Sequence, residues 1–224
     1  MIKLVAFDWN GTLLADTQAT LNSDNFALKK MGLKTITLRQ YQQAFDIPIM
    51  KYWENLGYSK NFVKRNFKKL QKYYSGHYEL LENKCRARKG AKDCLVWLKK
   101  NNIHAIIYSN HVEPHIHKQL IRLRIEKSFK QVLARKIDDN SHHYQRGKEQ
   151  KLQAYVKEHK LKPKEVVSVG DTEEEVEIGK KLGYHTVAIT GGWNSVSRLK
   201  KHHPDYLIHN MLELKKIVEK LNNN

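Results

Sequence analysis

The sequence predicts an α/β fold built on a parallel sheet, and three observations carry the prediction. Short apolar runs alternate with amphipathic helical stretches along most of the chain, the pattern of strands joined by crossover helices. The first run, residues 1–7 (MIKLVAF), is apolar but for Lys3 and ends on Asp8, ahead of a Gly11-Thr12 turn. A carboxylate at the C-terminal end of a parallel strand stands where open α/β sheets place their ligands. Residues 16–86, finally, hold no convincing strand and read as a helical block set in after the first strand.

Taken in chain order, the first strand is expected over residues 2–7. The helical block follows, with apolar positions such as Phe26, Leu28, Tyr52, Trp53, Leu56, Phe62 and Val63, punctuated by Gly32, Pro48, Gly57 and Gly76. A helix over 91–101 leads to a strand over 103–108, and a helix over 114–123 opens with Pro114, which suits a first helical turn. A short strand at 132–134, a helix at 148–158 and a strand at 166–169 come next. A helix over 172–182 stops at Gly183, a residue suited to the left-handed turn that closes helices. Strands at 186–189 and 206–208 and a helix at 211–221 complete the pattern. The expected architecture is a Rossmann-like parallel-sheet core, residues 1–15 and 87–224, with an inserted all-helical domain over 16–86.

Composition narrows the function classes. The chain has 224 residues, 40% of them hydrophobic and 29% charged, the balance of a soluble globular protein with a core of its own. No apolar run approaches the roughly 18 residues of a membrane span. Met1 leads straight into the first strand, so no leader is expected and the expected location is cytoplasmic. Cys85 and Cys94 read as ordinary reduced thiols. The net charge of +18 favours anionic ligands. Its lysine-rich stretches at 60–72, 148–164 and 197–201 read as solvated helix faces, with a nucleic-acid surface the lesser reading because no binding signature accompanies them. The inserted block is itself basic, with 13 Lys and Arg against 6 Asp and Glu over 16–86.

Four sites fall at or near strand ends and converge in a parallel sheet: Asp8 with Gly11-Thr12, Ser109-Asn110, Lys148, and Gly170-Asp171-Thr172 followed by Glu173-Glu174-Glu175. Glu173 and Glu174 also suit a helix N-terminus simply as complements to its dipole. Lys151 lies one turn from Lys148 and is its alternative. His111 and His115 read as exposed residues at a helix start, with His111 close enough to Ser109-Asn110 to meet a ligand.

These motifs together resemble the haloacid dehalogenase superfamily of phosphohydrolases, and most nearly its phosphoglycolate phosphatase-like members with a helical cap after the first motif. Asp8-Trp9-Asn10-Gly11-Thr12-Leu13 matches the nucleophile motif except at Asn10, and Gly170 to Val176 matches the acidic metal motif with Glu175 last. Gly191-Gly192-Trp193-Asn194 and His203 to Ile208 resemble the closing loop and strand. The resemblance implies Asp8 as a nucleophile forming an aspartyl-phosphate, and Asp8, the Asn10 carbonyl, Asp171 and Glu175 as the Mg²⁺ site. It implies Lys148 and Ser109 on the transferring phosphoryl group, with Thr12 and Asn110 as further substrate contacts.

Asn10 departs from the pattern. Members of the family carry an acid there that protonates the leaving group and then activates water, and an amide does neither. General acid–base help is worth about 10²–10⁴ in rate. The expected activity is therefore Mg²⁺-dependent hydrolysis of a small phosphorylated metabolite, slow for poor leaving groups. The basic cap favours an anionic substrate. The alternatives are a catalytically weak member that binds a phosphorylated ligand or polyanion, and phosphonate or carbon–halogen cleavage on the same scaffold. For phosphonate cleavage Lys51 lies in the right region of the cap but off the family position.

Overall fold

The computed structural model describes residues 1–137 and 147–223. A single sheet holds β1 (Leu4–Phe7), β2 (His104–Val112), β3 (Gln131–Arg135), β4 (Val166–Gly170), β5 (His185–Ile189) and β6 (Tyr206–Ile208), in the order β3-β2-β1-β4-β5-β6. Every pairing is parallel; Phe7 of β1 stands between Ile107 of β2 and Val169 of β4. The strand order reverses between β1 and β4, so the ligand crevice of such a sheet opens at their C-terminal ends.

Alternation along β1 sorts the core into two layers. Val5 and Phe7 pack into one cluster with Leu95 and Leu98 of α5 (Ala91–Lys100), Leu120 of α6 (Glu113–Leu123) and Leu214 of α10 (Leu212–Asn223). Leu4 and Ala6 face the other way, onto Leu152 and Tyr155 of α7 (Lys148–Glu158) and Ile178 of α8 (Glu173–Leu182). A strand covered on both faces reads as a continuous apolar run, as β1 does.

Between β1 and α5 lie α1 (Thr17–Lys30), α2 (Leu38–Ala44), α3 (Ile49–Asn55) and α4 (Lys60–Glu82). They share a core of their own, in which Leu28, Tyr41, Tyr52, Trp53, Val63 and Phe67 are buried. The chain leaves and re-enters the sheet layer through adjacent segments: the Ala15 amide donates to the Arg86 carbonyl at 2.8 Å, and the Arg88 amide to the Leu13 carbonyl at 2.9 Å.

Two features differ from expectation. β2 runs on to Val112, so Ser109 and Asn110 belong to the strand; its register against β3 shifts between Tyr108 and Val112. The lysine-rich stretch at 197–201, read only as a helix face, forms a short helix of its own after β5, α9 (Val196–Lys201), capped by Ser195, whose hydroxyl accepts from the Arg198 amide. Both cysteines are free and buried. Among the described residues no helix is long and apolar enough to cross a membrane.

Candidate active site

The ends of β1 and β4 are tied together where the Asp8 amide donates to the Val169 carbonyl at 2.9 Å. Asp8 therefore sits at the reversal point, and Asp171, one residue beyond β4, stands close enough to press on its ionisation. Asp171 has no exposed surface. Its oxygens accept from the Thr12 hydroxyl (2.5 Å) and the Trp193 amide (2.6 Å). Two glycines make room for it, since a Cβ added at Gly11 or Gly192 would fall 2.2 Å from Asp171 Oδ2. Gly11 also holds φ +73°, a conformation that favours glycine.

Lys148, the first residue of α7, is buried and reaches the same point. Its Nζ lies 3.1 Å from Asp8 Oδ1 and 3.3 Å from Glu174 Oε2, and in contact with Glu175 Oε1. Lys151 takes no part, its ammonium donating to the Ala134 carbonyl at 2.5 Å. Glu175 is fixed by the start of α8, where its Oε2 accepts from the Thr172 amide (2.9 Å) and hydroxyl (2.6 Å).

Burial pushes Asp8 well above the usual carboxylate range; Lys148 opposes this, and Glu175 and Asp171 add to it. Asp171 is pushed up to about 7, again by burial and then by Glu175. Burial acts to lower the Lys148 ammonium, but Asp8, Glu175 and Glu174 outweigh it and hold the group well above its ordinary value. One lysine thus faces three buried carboxylates, Asp8, Glu174 and Glu175, with Asp171 close to Asp8. A surplus of negative oxygen is the kind of donor set a hard dication takes.

Asn10 is buried against a carboxylate that sequence reasoning passed over. Its Nδ2 donates to Asp16 Oδ2 (2.8 Å) and to the Tyr78 hydroxyl (2.8 Å), and Tyr78 donates to the same Asp16 oxygen (2.6 Å). The Gly11 amide completes the set on Asp16 Oδ1 at 2.6 Å. Burial raises Asp16, and these three donors pull it back.

Over this floor opens a cavity of about 400 Å³. Asp8, Asn10, Ser109, Asn110 and Lys148 line it, together with the aromatic side chains of Phe45, Tyr52, Trp53 and Trp193 and the buried carboxyl of Asp24. Asn110 donates to Glu174 Oε2 at 2.9 Å, and Arg135 Nε donates to the Asn110 carbonyl at 2.7 Å. Glu174, read from sequence as a dipole complement, in fact touches both Lys148 and Asn110.

Three expectations are corrected by these placements. Thr12, expected on the substrate, has no exposed surface, lies off the cavity wall, and spends its hydroxyl on Asp171. The lysines of the helical block do not line the cavity either, since among the described residues its wall carries only Lys148 and Arg135 of the Lys and Arg; Lys51 lies off that wall and pairs with Asp46 at 2.7 Å. His111 belongs to β2 rather than to a helix start, and both His111 and His115 face Glu82. Asp16, Tyr78 and Glu82 carried no local signal, because each is brought in by a contact across the fold.

The model of the haloacid dehalogenase-like hydrolase family matches residues 5–189. The chain belongs to the haloacid dehalogenase-like hydrolase family. A phosphoglycolate phosphatase from Mannheimia succiniciproducens is 25% identical over 96% of this hydrolase and 98% of its own length. Solved structures share the fold. A haloacid dehalogenase-like hydrolase from Streptococcus pneumoniae superposes with a TM-score of 0.80 at 18% identity, covering 97% of this chain and 98% of that one. A predicted phosphoglycolate phosphatase from Haemophilus somnus gives 0.77 at 20% identity, covering 97% and 98%.

Proposed function

We propose that this hydrolase is a Mg²⁺-dependent phosphatase that cleaves phosphate esters with good leaving groups and apolar bodies. The observation that carries the reading is the Asp8–Lys148 pair, 3.1 Å apart on the cavity floor at the sheet's reversal point. Asp8 attacks phosphorus and the bond to the leaving group breaks, giving an aspartyl-phosphate and an alkoxide or phenoxide. Water then attacks the phosphorus, the acyl-phosphate bond breaks, phosphate departs and Asp8 is restored. Lys148 neutralises charge on the equatorial oxygens, and Ser109, on the cavity lining, donates to one of them. Asp8, Asp171 and the Asn10 carbonyl, with Glu175 supporting, would hold Mg²⁺, which would supply the remaining positive charge for the phosphoryl group.

The amide of Asn10 carries no exchangeable acid, and Asp16 behind it has no exposed surface. Leaving groups that depart unprotonated are therefore favoured: aryl and acyl phosphates and pyrophosphates. The aromatic lining points the same way, because it offers apolar contact to a substrate. Residues 16–86 act as a cap that supplies this lining, and residues 1–15 and 87–224 act as the catalytic core.

A panel of phosphate esters tests the proposal. We expect Mg²⁺-dependent turnover of aryl phosphates well above that of phosphoglycolate, with Asp8→Asn losing at least 10³-fold. Equal activity in Asp8→Asn and wild type would sink the mechanism.

A further inference from the structure

We infer that Glu82, His111 and His115 form a second cation site, for a borderline divalent metal ion of the Zn²⁺ class, at the seam between the helical block and the sheet layer. It goes beyond the phosphatase reading and does not rest on it. The carboxylate of Glu82, at the C-terminal end of α4, is buried, its side chain 3% exposed. Among the described residues it faces two imidazoles, His111 Nε2 at 3.1 Å from Oε1 and His115 Nδ1 at 4.0 Å from Oε2. Ligand atoms of all three lie within 4.8 Å of one another. Ligands about 2.0 Å from a tetrahedral ion stand about 3.3 Å apart, so the cluster needs modest contraction. The His115 side chain is 33% exposed, so it is not locked by packing on every side.

The donor set chooses the ion. Two imidazoles and a carboxylate suit Zn²⁺ and its borderline neighbours, whereas Mg²⁺ prefers oxygen alone. The site is therefore chemically distinct from the all-oxygen cluster at Asp8. Three protein ligands leave a fourth position open, the arrangement of reactive rather than structural zinc. Both imidazoles line the cavity, so that position is reachable from it. The two sites are also mechanically joined, for the His111 amide donates to Ser109 Oγ at 3.1 Å. An ion here pins the end of α4 to β2 and α6.

Zn²⁺ titration of the full chain by calorimetry, with Mg²⁺ in large excess, tests the inference, and Co²⁺ visible absorption reports nitrogen ligation. We expect one tight equivalent in wild type. His115→Ala and Glu82→Gln should each weaken it at least tenfold, and Asp171→Asn should leave it in place. Unchanged affinity in either of the first two, or loss in Asp171→Asn, overturns the inference. If Glu82→Gln does not fold by circular dichroism, His111→Gln takes its place under the same criterion.

Discussion

Asn10 is the residue on which the chemistry turns, and its neighbours explain why an amide stands there. With Asp16 Oδ2 only 2.8 Å from its Nδ2, a carboxylate at position 10 would face another carboxylate in a buried site. Two such groups share one proton, which raises an apparent pKa of the pair. Asn10→Asp should therefore install an acid still protonated near neutral pH, and hydrolysis of alkyl phosphates should rise by about 10² or more while aryl phosphates change little. Rates across a series of leaving groups measure this; a slope identical to wild type would remove the proton-donor explanation. Asp24 makes a second prediction. Burial raises its pKa to about 7, against the hydrogen bond from Tyr52 (2.7 Å). The folded state thus retains a proton that the unfolded state releases near pH 4, so stability falls as pH rises from about 4 to about 7 and then levels. The group accounts for a loss on the order of 4 kcal/mol across that window. Asp24→Asn keeps an acceptor for Tyr52, so its urea midpoint should exceed wild type at pH 8 by more than at pH 5.

At the scale of elements, the loop after β5 shapes the proposed metal site as much as the strands do. Gly192 lets the backbone pass so close to Asp171 that a methyl group would collide with it. Gly192→Ala should cut activity at least tenfold and abolish the Mg²⁺-induced rise in Tm. Gly76→Ala, in mid-α4 with open space around it, should instead gain about 0.5–1 kcal/mol. Strands such as β4 and β6 were legible because both are short apolar runs ended by turn residues. The far end of β2 was not, because Ser109, Asn110 and His111 are polar and lie across the register shift between Tyr108 and Val112, where the strand departs from regular pairing with β3. Of the candidate site, Asp8, Lys148, Asp171 and Glu175 announce themselves at element ends. Asp16, Asp24, Tyr78 and Glu82 do not, since what brings them to the cavity or behind it is the folding of α1 and α4 over the sheet.

For the molecule as a whole, the net charge of +18 and the chemistry of the cavity belong to different surfaces. The helix α4 shows the division in one element. Val63, Phe67 and Leu70 face its core, while Lys60, Lys64, Arg65, Lys68, Lys69 and Lys72 are exposed. A charge of this kind attracts any polyanion and reads no sequence. Affinity for a homopolymer RNA should be measurable at ~50 mM salt and largely lost by ~0.2 M. Reversing two charges with Lys64→Glu and Lys68→Glu should weaken that binding severalfold and leave kcat/KM for aryl phosphates unchanged, because neither lysine lines the cavity. Fluorescence anisotropy and steady-state kinetics on the same preparations separate the two effects. RNA binding that survives ~0.2 M salt, or a fall in kcat/KM with the double substitution, would show that the basic face and the catalytic site act together.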